Sequence, residues 1–286
     1  MKWRGRRGSR NIEDRRSHGG RRRAGGAVGS LGVGGVVVVL LLVAVFGVDV
    51  TPLLQGGGGQ APAGQVEITQ ADEDAAQFVS VVLRDTEVMW TEVFERQLGR
   101  TYRPPTLVLY KEVTQSPCGG ASGATGPFYC PADRKAYLDT AFFTTLSQRL
   151  GAEGDFAAAY VVAHEVAHHV QNELGILVQA NTARRQMSQA DSNRVSVMIE
   201  LQADCLSGMW ARFAQDELGT LERGDLQEAV NAARQIGDDT LQRGAGRTPN
   251  PHTFTHGTSE QRQRWFNRGF ESGRVDQCDT FRAANL

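Results

Sequence analysis

Apolar residues recur along this chain at two spacings, and the predicted elements change where the spacing changes. Residues 71–98 place apolar side chains three and four apart, the pattern of one long amphipathic helix. Residues 106–110 form a short apolar run suited to a strand. Residues 128–139 read as two extended runs about Pro131-Ala-Asp-Arg-Lys135, a hairpin-like pattern. Helical spacing then returns. A short helix over 141–150 leads into 155–174, where Phe156, Tyr160, Val161, Val166 and Val170 leave few polar positions, so this helix is mostly buried. Asp155 is placed to cap it and Gly175 to stop it. Residues 191–213 predict a second long helix, with Val195, Met198, Ile199, Leu206, Met209 and Trp210 as its apolar content. A helix over 225–242 opens on Asp225-Leu-Gln-Glu228, a capping-box sequence with Asp in the Ser/Thr position. A last helix, 259–272, takes Ser259 as its cap. The polar stretch 175–190 reads as a loop or a lid. These elements predict a helix-rich α+β domain with a small sheet or hairpin over the helix at 155–174.

Polar residues inside that helix change the picture. His164-Glu165-Val166-Ala167-His168 places two histidines four apart, about 40° around the helix axis, so both imidazoles can face one cation. A nitrogen-donor pair of this kind favours Zn2+. Glu165 then stands where a carboxylate can take a proton from water activated by the metal. The plain alternative is a core helix with two hydrogen-bonded histidines. His169 is about 100° from His168 and is expected at the surface or as support, not as a ligand.

A catalytic zinc takes three protein ligands and keeps a position for water. In the 191–213 helix, Glu200 and Asp204 are four apart and share a face. Carboxylates on a mostly apolar helix need a partner or a metal. Glu200 as third ligand, with Asp204 accepting the remaining N–H of a ligand histidine, satisfies both. The alternative is a solvated acidic face.

With these pieces in place the chain resembles the bacterial neutral zinc metallopeptidase family, a set of membrane-anchored peptidases with a gluzincin-like H-E-x-x-H plus E-x-x-x-D arrangement. The matching segments are Lys2-Trp-Arg-Gly-Arg-Arg7, Asn11-Ile-Glu-Asp-Arg-Arg16, Pro127-Phe-Tyr-Cys-Pro-Ala-Asp133, His164 to Gln171, Glu200-Leu-Gln-Ala-Asp-Cys205 and Thr255-His-Gly-Thr-Ser-Glu-Gln-Arg262. The resemblance implies a zincin-like catalytic domain in which His164, His168 and Glu200 hold zinc, Glu165 is the catalytic base and Asp204 supports a ligand. It also implies that a peptide or protein substrate is cleaved at its peptide bonds. His256 is the candidate for stabilising the developing oxyanion, against the reading that it makes only a structural hydrogen bond. His252, in a Pro-flanked loop, has a weaker case, and Arg262 is expected to brace the loop through carbonyls or a carboxylate. Zinc peptidases of this kind hold substrate against an edge strand, which here points to the 128–139 hairpin with Tyr137 projecting from it, against the reading of a plain structural hairpin. The rival reading is a catalytically silent, membrane-tethered binding module that keeps zinc. An intact Glu165 argues against it.

The formal net charge of −1 conceals a division of the chain. Residues 1–30 carry a net +8 and the remainder −9. A basic arm can bind nucleic acid, but residues 24–48 contain no charged side chain. As a helix they would span ~37 Å, enough for one bilayer crossing. The expected organisation is a cytoplasmic basic arm over 1–23, an uncleaved transmembrane helix over 24–48, a Gly/Pro-rich linker over 49–64 and a metallopeptidase domain over 65–286 outside the cytoplasm. On this reading there is no nucleic-acid partner. A cleaved signal peptide ending near Ala61-Pro-Ala63 is the competing reading. Four cysteines fit an oxidising compartment. Of the three pairings they allow, Cys118 with Cys130 and Cys205 with Cys278 is the one proposed from their positions.

Overall fold

The longest described helix begins where Thr69 closes on its own first turn. The computed structural model describes residues 1–17, 67–122, 126–142 and 154–286. Thr69 accepts the Asp72 N–H and the Asp72 carboxylate takes the Thr69 N–H, a reciprocal cap that satisfies donors every helix start leaves open. Strand β1 (Ile12–Asp14) precedes this helix, α1 (Gln70–Leu98). Then come β2 (Thr106–Tyr110), β3 (Val113–Ser116), β4 (Gly119–Ser122), β5 (Phe128–Cys130) and β6 (Lys135–Asp139). The main sheet has the order β1-β2-β6-β5, with β1 and β6 parallel to β2 and β5 antiparallel to β6. Strands β3 and β4 form a separate hairpin. Alternate residues go to opposite faces: Leu107, Leu109, Ala136 and Leu138 enter the main core, while Val108, Tyr110 and Tyr137 pack with Ala121 and Cys130 on the other side.

The helical half comprises α2 (Asp155–Glu173), α3 (Ile176–Arg184), α4 (Gln189–Asp216), α5 (Asp225–Gln235), α6 (Asp238–Gly244) and α7 (Ser259–Ser272). Short 3-10 turns cover Pro251–Thr253 and Val275–Cys278. Helix α2 is buried on nearly every side, as its composition requires. Helix α7 packs along α4 more extensively than any other pair of described elements. Two glycines permit that approach: a Cβ on Gly269 would meet the Cys205 carbonyl oxygen at 1.8 Å, and one on Gly208 would meet the Phe266 carbonyl oxygen at 2.0 Å. The cysteines pair as Cys118–Cys130 and Cys205–Cys278, the second bridge tying α4 to the C-terminal turn.

Several expectations change. The polar stretch 175–190 contains α3, whose Leu177 and Ala180 pack on Ile199. The helix expected over 225–242 breaks at Ile236 and Gly237 into α5 and α6. Glu228 does not complete a capping box on α5; its Oε2 accepts the Phe156 N–H at 3.1 Å and so serves the first turn of α2. Asp155 is the first residue of α2 rather than its cap, and Thr258, with Gln261, caps α7 in place of Ser259. Of the helix expected over 141–150, residues 143–150 lie outside the described residues.

The largest correction concerns the amino-terminal arm. Residues 1–17 pack on the domain. Trp3 is buried edge-on against Phe78, Arg6 forks onto Asp85 at 2.5 and 2.8 Å, and β1 pairs with β2 in register from Ile12 opposite Leu107. Arg16 donates to the Asp72 carbonyl at 2.8 Å, while Lys111 reaches both Asp72 and the Glu67 carbonyl, so the two flanks of 18–66 meet on one side of α1. A boundary at residue 65 therefore does not separate the arm from the domain. The arrangement with residues 1–23 and the domain on opposite sides of a membrane is incompatible with this pairing. Among the described residues no helix is long and apolar enough to cross a membrane; the segments 24–48 and 49–64 lie outside them.

Candidate metal centre

Helix α2 carries the pentad and α4 carries the acids, and their packing brings the two together. The rings of His164 and His168 stand 4.8 Å apart and nearly perpendicular. His164 Nε2 is 3.1 Å from Glu200 Oε2, and His168 Nε2 is 3.5 Å from Glu200 Oε1. One ligand atom from each of the three residues lies within 4.8 Å of the others. Each imidazole turns its other nitrogen to the protein. His164 Nδ1 lies 3.0 Å from Asp204 Oδ1, which sits off the axis of the ring N–H, and His168 Nδ1 is 2.8 Å from Gln171 Oε1.

Asp204 is wholly buried and is held from three directions. Tyr160 Oη donates to Oδ1 at 2.5 Å, Arg262 Nη2 to Oδ1 at 3.0 Å and Arg262 Nε to Oδ2 at 2.9 Å. Burial alone would raise the Asp204 pKa, but the Arg262 guanidinium and His164 outweigh it and hold it down. Glu200 follows the same logic: burial raises it, and the surrounding His168, His164 and His256 depress it well below the usual carboxylate range. Burial lowers His164, while Asp204 and Glu200 raise it further, to about 9. Glu165 differs. Burial pushes its carboxyl up, and its Oε2 is buried with no hydrogen-bond partner.

Two nitrogen donors and one carboxylate converging beside an unpartnered buried carboxylate oxygen suit a zinc ion with one position left for water. The donor set therefore fits the metal, with His164, His168 and Glu200 to hold it and Glu165 alongside. The chain matches, over residues 1–281, the model of a family described as "Putative neutral zinc metallopeptidase". It belongs to this family. The uncharacterized protein YpfJ of Escherichia coli (strain K12) is 46% identical over 285 residues, spanning 98% of this chain and 99% of that protein. The uncharacterized protein Rv2575 of Mycobacterium tuberculosis is 43% identical over 195 residues, 65% of each chain. No solved structure matches.

The loop before α7 brings His256 to the rim of this candidate metal site. Asp238, almost fully buried, accepts the backbone N–H groups of Thr255, His256 and Gly257 on Oδ2 at 2.7, 2.6 and 2.9 Å, and its Oδ1 is 3.2 Å from His256 Nδ1. Gly257 has φ 91°, a conformation that favours glycine, and Val197 and Leu201 crowd the space a Cβ would fill. Burial lowers the His256 pKa, and Asp238 and Glu200 raise it on balance. His252 is remote in role: its carbonyl accepts from Asn193 Nδ2 at 2.8 Å. Arg262 braces a carboxylate, Asp204, and its Nη1 donates to the Ile236 carbonyl at 3.4 Å.

Of the two places expected for His169, the surface is excluded, because the side chain is fully buried. Its Nδ1 meets Tyr129 Oη at 3.0 Å and its Nε2 meets the Arg103 carbonyl at 2.6 Å, and burial depresses its pKa to about 4. Tyr137 does not project toward a substrate. It lies on the interior strand β6, 1% exposed, stacked on Phe128 and donating to Asp133. The edge strand beside α2 is β5. The roles of Gln171, Gln202, Tyr160 and Asp238 are not among the expectations, because most of their partners lie on distant elements. The one signal was the placement of Gln171 three residues after His168.

Proposed function

We propose that this chain is a zinc-dependent peptidase that hydrolyses peptide bonds with Glu165 as general base. The observation that carries the reading is the Glu165 carboxylate: buried, raised in pKa, and with one oxygen unpartnered beside the His164–His168–Glu200 cluster. A zinc ion held there acidifies water and polarises a carbonyl oxygen. Glu165 takes the proton as water attacks and hands it to the leaving amine. His256, oriented by Asp238 through Nδ1, presents Nε2 on the opposite side of its ring and stabilises charge on the carbonyl oxygen. Strand β5, at the sheet edge beside α2, is the candidate for pairing with an extended peptide.

The test is zinc analysis with a peptide-library assay on the parent and Glu165→Gln. Zinc in both proteins and cleavage by the parent alone is expected. Zinc without cleavage by either would replace the peptidase with a zinc-containing binding module.

We further propose that residues 24–48 attach the protein to a membrane, with residues 1–17 and the domain on the same side of it. The two disulfides favour an oxidising, extracytoplasmic compartment for both.

A further inference from the structure

The geometry points to Gln171 as the positioning residue of the second histidine, at the end of a side-chain amide relay that begins at the C-terminal turn. This rests on the zinc reading of His164, His168 and Glu200 and concerns how one of those histidines is held.

Gln171 is completely buried, one turn beyond His168 on α2. Its Nε2 donates to the Ile199 carbonyl at 2.8 Å and to Gln202 Oε1 at 3.0 Å. A main-chain carbonyl only accepts, so this end of the amide is the NH2 group and the other end, Oε1, must face His168 Nδ1. An oxygen that only accepts requires the proton on Nδ1. A neutral imidazole has a single N–H, so Nε2 is left with its lone pair directed at Glu200 and the cation position. Gln202 is fixed by the same logic, since its Nε2 donates to the Cys278 carbonyl at 3.0 Å and its Oε1 is turned to Gln171. The polarity of the relay is thus set by two backbone carbonyls. One adjoins Glu200 on α4, and the other belongs to a residue bridged to Cys205. His164 obtains its orientation from a carboxylate held by Arg262, whereas His168 obtains its tautomer from neutral amides that add no charge.

The test uses the full chain in detergent, with Gln171→Leu and Gln171→Glu. Leucine removes the acceptor. Glutamate keeps an acceptor for Nδ1–H and loses the donor to Ile199. Zinc affinity, read by competition with a chromophoric chelator, is expected to fall 10–100-fold in Gln171→Leu and to stay near the parent value in Gln171→Glu. Unfolding of the metal-free proteins in urea is expected to show both variants destabilised. That separates a positioning role from a packing role, which would affect both variants' affinities alike. A Gln171→Leu affinity within twofold of the parent, or equal losses in both variants, overturns the proposal. Nitrogen-15 spectra of the metal-free parent, with His168 identified through His168→Gln, read the tautomer without zinc. A proton on Nδ1 that is lost in Gln171→Leu supports the relay, and a proton on Nε2 with none on Nδ1 in the parent overturns it. Failure of the parent to bind zinc would instead refute the metal reading, leaving the tautomer measurement to decide the relay.

Discussion

Arg262 grips Asp204 with two N–H donors, Nε to Oδ2 at 2.9 Å and Nη2 to Oδ1 at 3.0 Å, and neither side chain is more than 2% exposed. This pair links α7 to α4 at the point where Asp204 supports His164. Removing the guanidinium leaves a buried carboxylate whose main positive partner is gone. Arg262→Leu is expected to cost about 3–5 kcal/mol in stability and to weaken zinc binding. Urea unfolding and metal titration measure the two. A variant as stable as the parent would mean that Asp204 is neutral in the fold.

Asp238 and His256 form a second such link, at the rim. His256→Phe is expected to lower kcat about 10²–10³-fold with zinc content and KM little changed. Asp238→Asn keeps one acceptor oxygen and is expected to fall between that variant and the parent. A rise in KM with kcat intact would assign His256 to substrate binding and remove it from oxyanion stabilisation.

Gly269 tests the helix contact that carries Arg262 to Asp204. Gly269→Ala puts a methyl group on the Cys205 carbonyl, and overpacking of this kind costs about 1–3 kcal/mol or more. Thermal unfolding of the variant should show the loss. An unchanged melting temperature would mean that α4 and α7 are farther apart than described.

Acid stability should depend on Asp72. Burial works to raise its carboxyl, but the Lys111 ammonium with the Thr69 and Thr140 donors holds it well below the ordinary range. A carboxyl depressed on folding stabilises above its unfolded pKa, about 3.9, and the contribution disappears as pH falls toward the folded value. Asp72→Asn is therefore expected to lower the urea midpoint near neutral pH. The gap from the parent should close below about pH 4. A gap that stays constant with pH would refute the ionic part of this account.

The pairing of β1 with β2 predicts sidedness. Arg10 and Asn285 are both exposed on the same domain, so Arg10→Cys and Asn285→Cys should be labelled together, or protected together, by a membrane-impermeant maleimide on intact cells. Labelling of one alone would place the arm across the membrane and detach β1 from the sheet.

Much of the site was legible in the sequence because it is local. The spacing of His164 and His168, or of Glu200 and Asp204, fixes a shared helix face before any packing is known. Helix boundaries were less legible. The break at Ile236 and Gly237 comes from Asp238, which leaves the α5 direction to bind three N–H groups of the loop at 255–257. That demand arises nearly twenty residues away, and no local pattern announces it.

The chain alone determined which residue types could gather around a cation and that two buried helices would carry them, since helical periodicity follows from backbone geometry. Only the tertiary structure decided that Ile199 and Gln202 fix the amide of Gln171, that Arg262 serves Asp204, and that residues 1–17 belong to the sheet. Those are pairings between distant segments. They are selected by which buried polar groups can satisfy one another once the core has closed, a constraint that exists only in three dimensions.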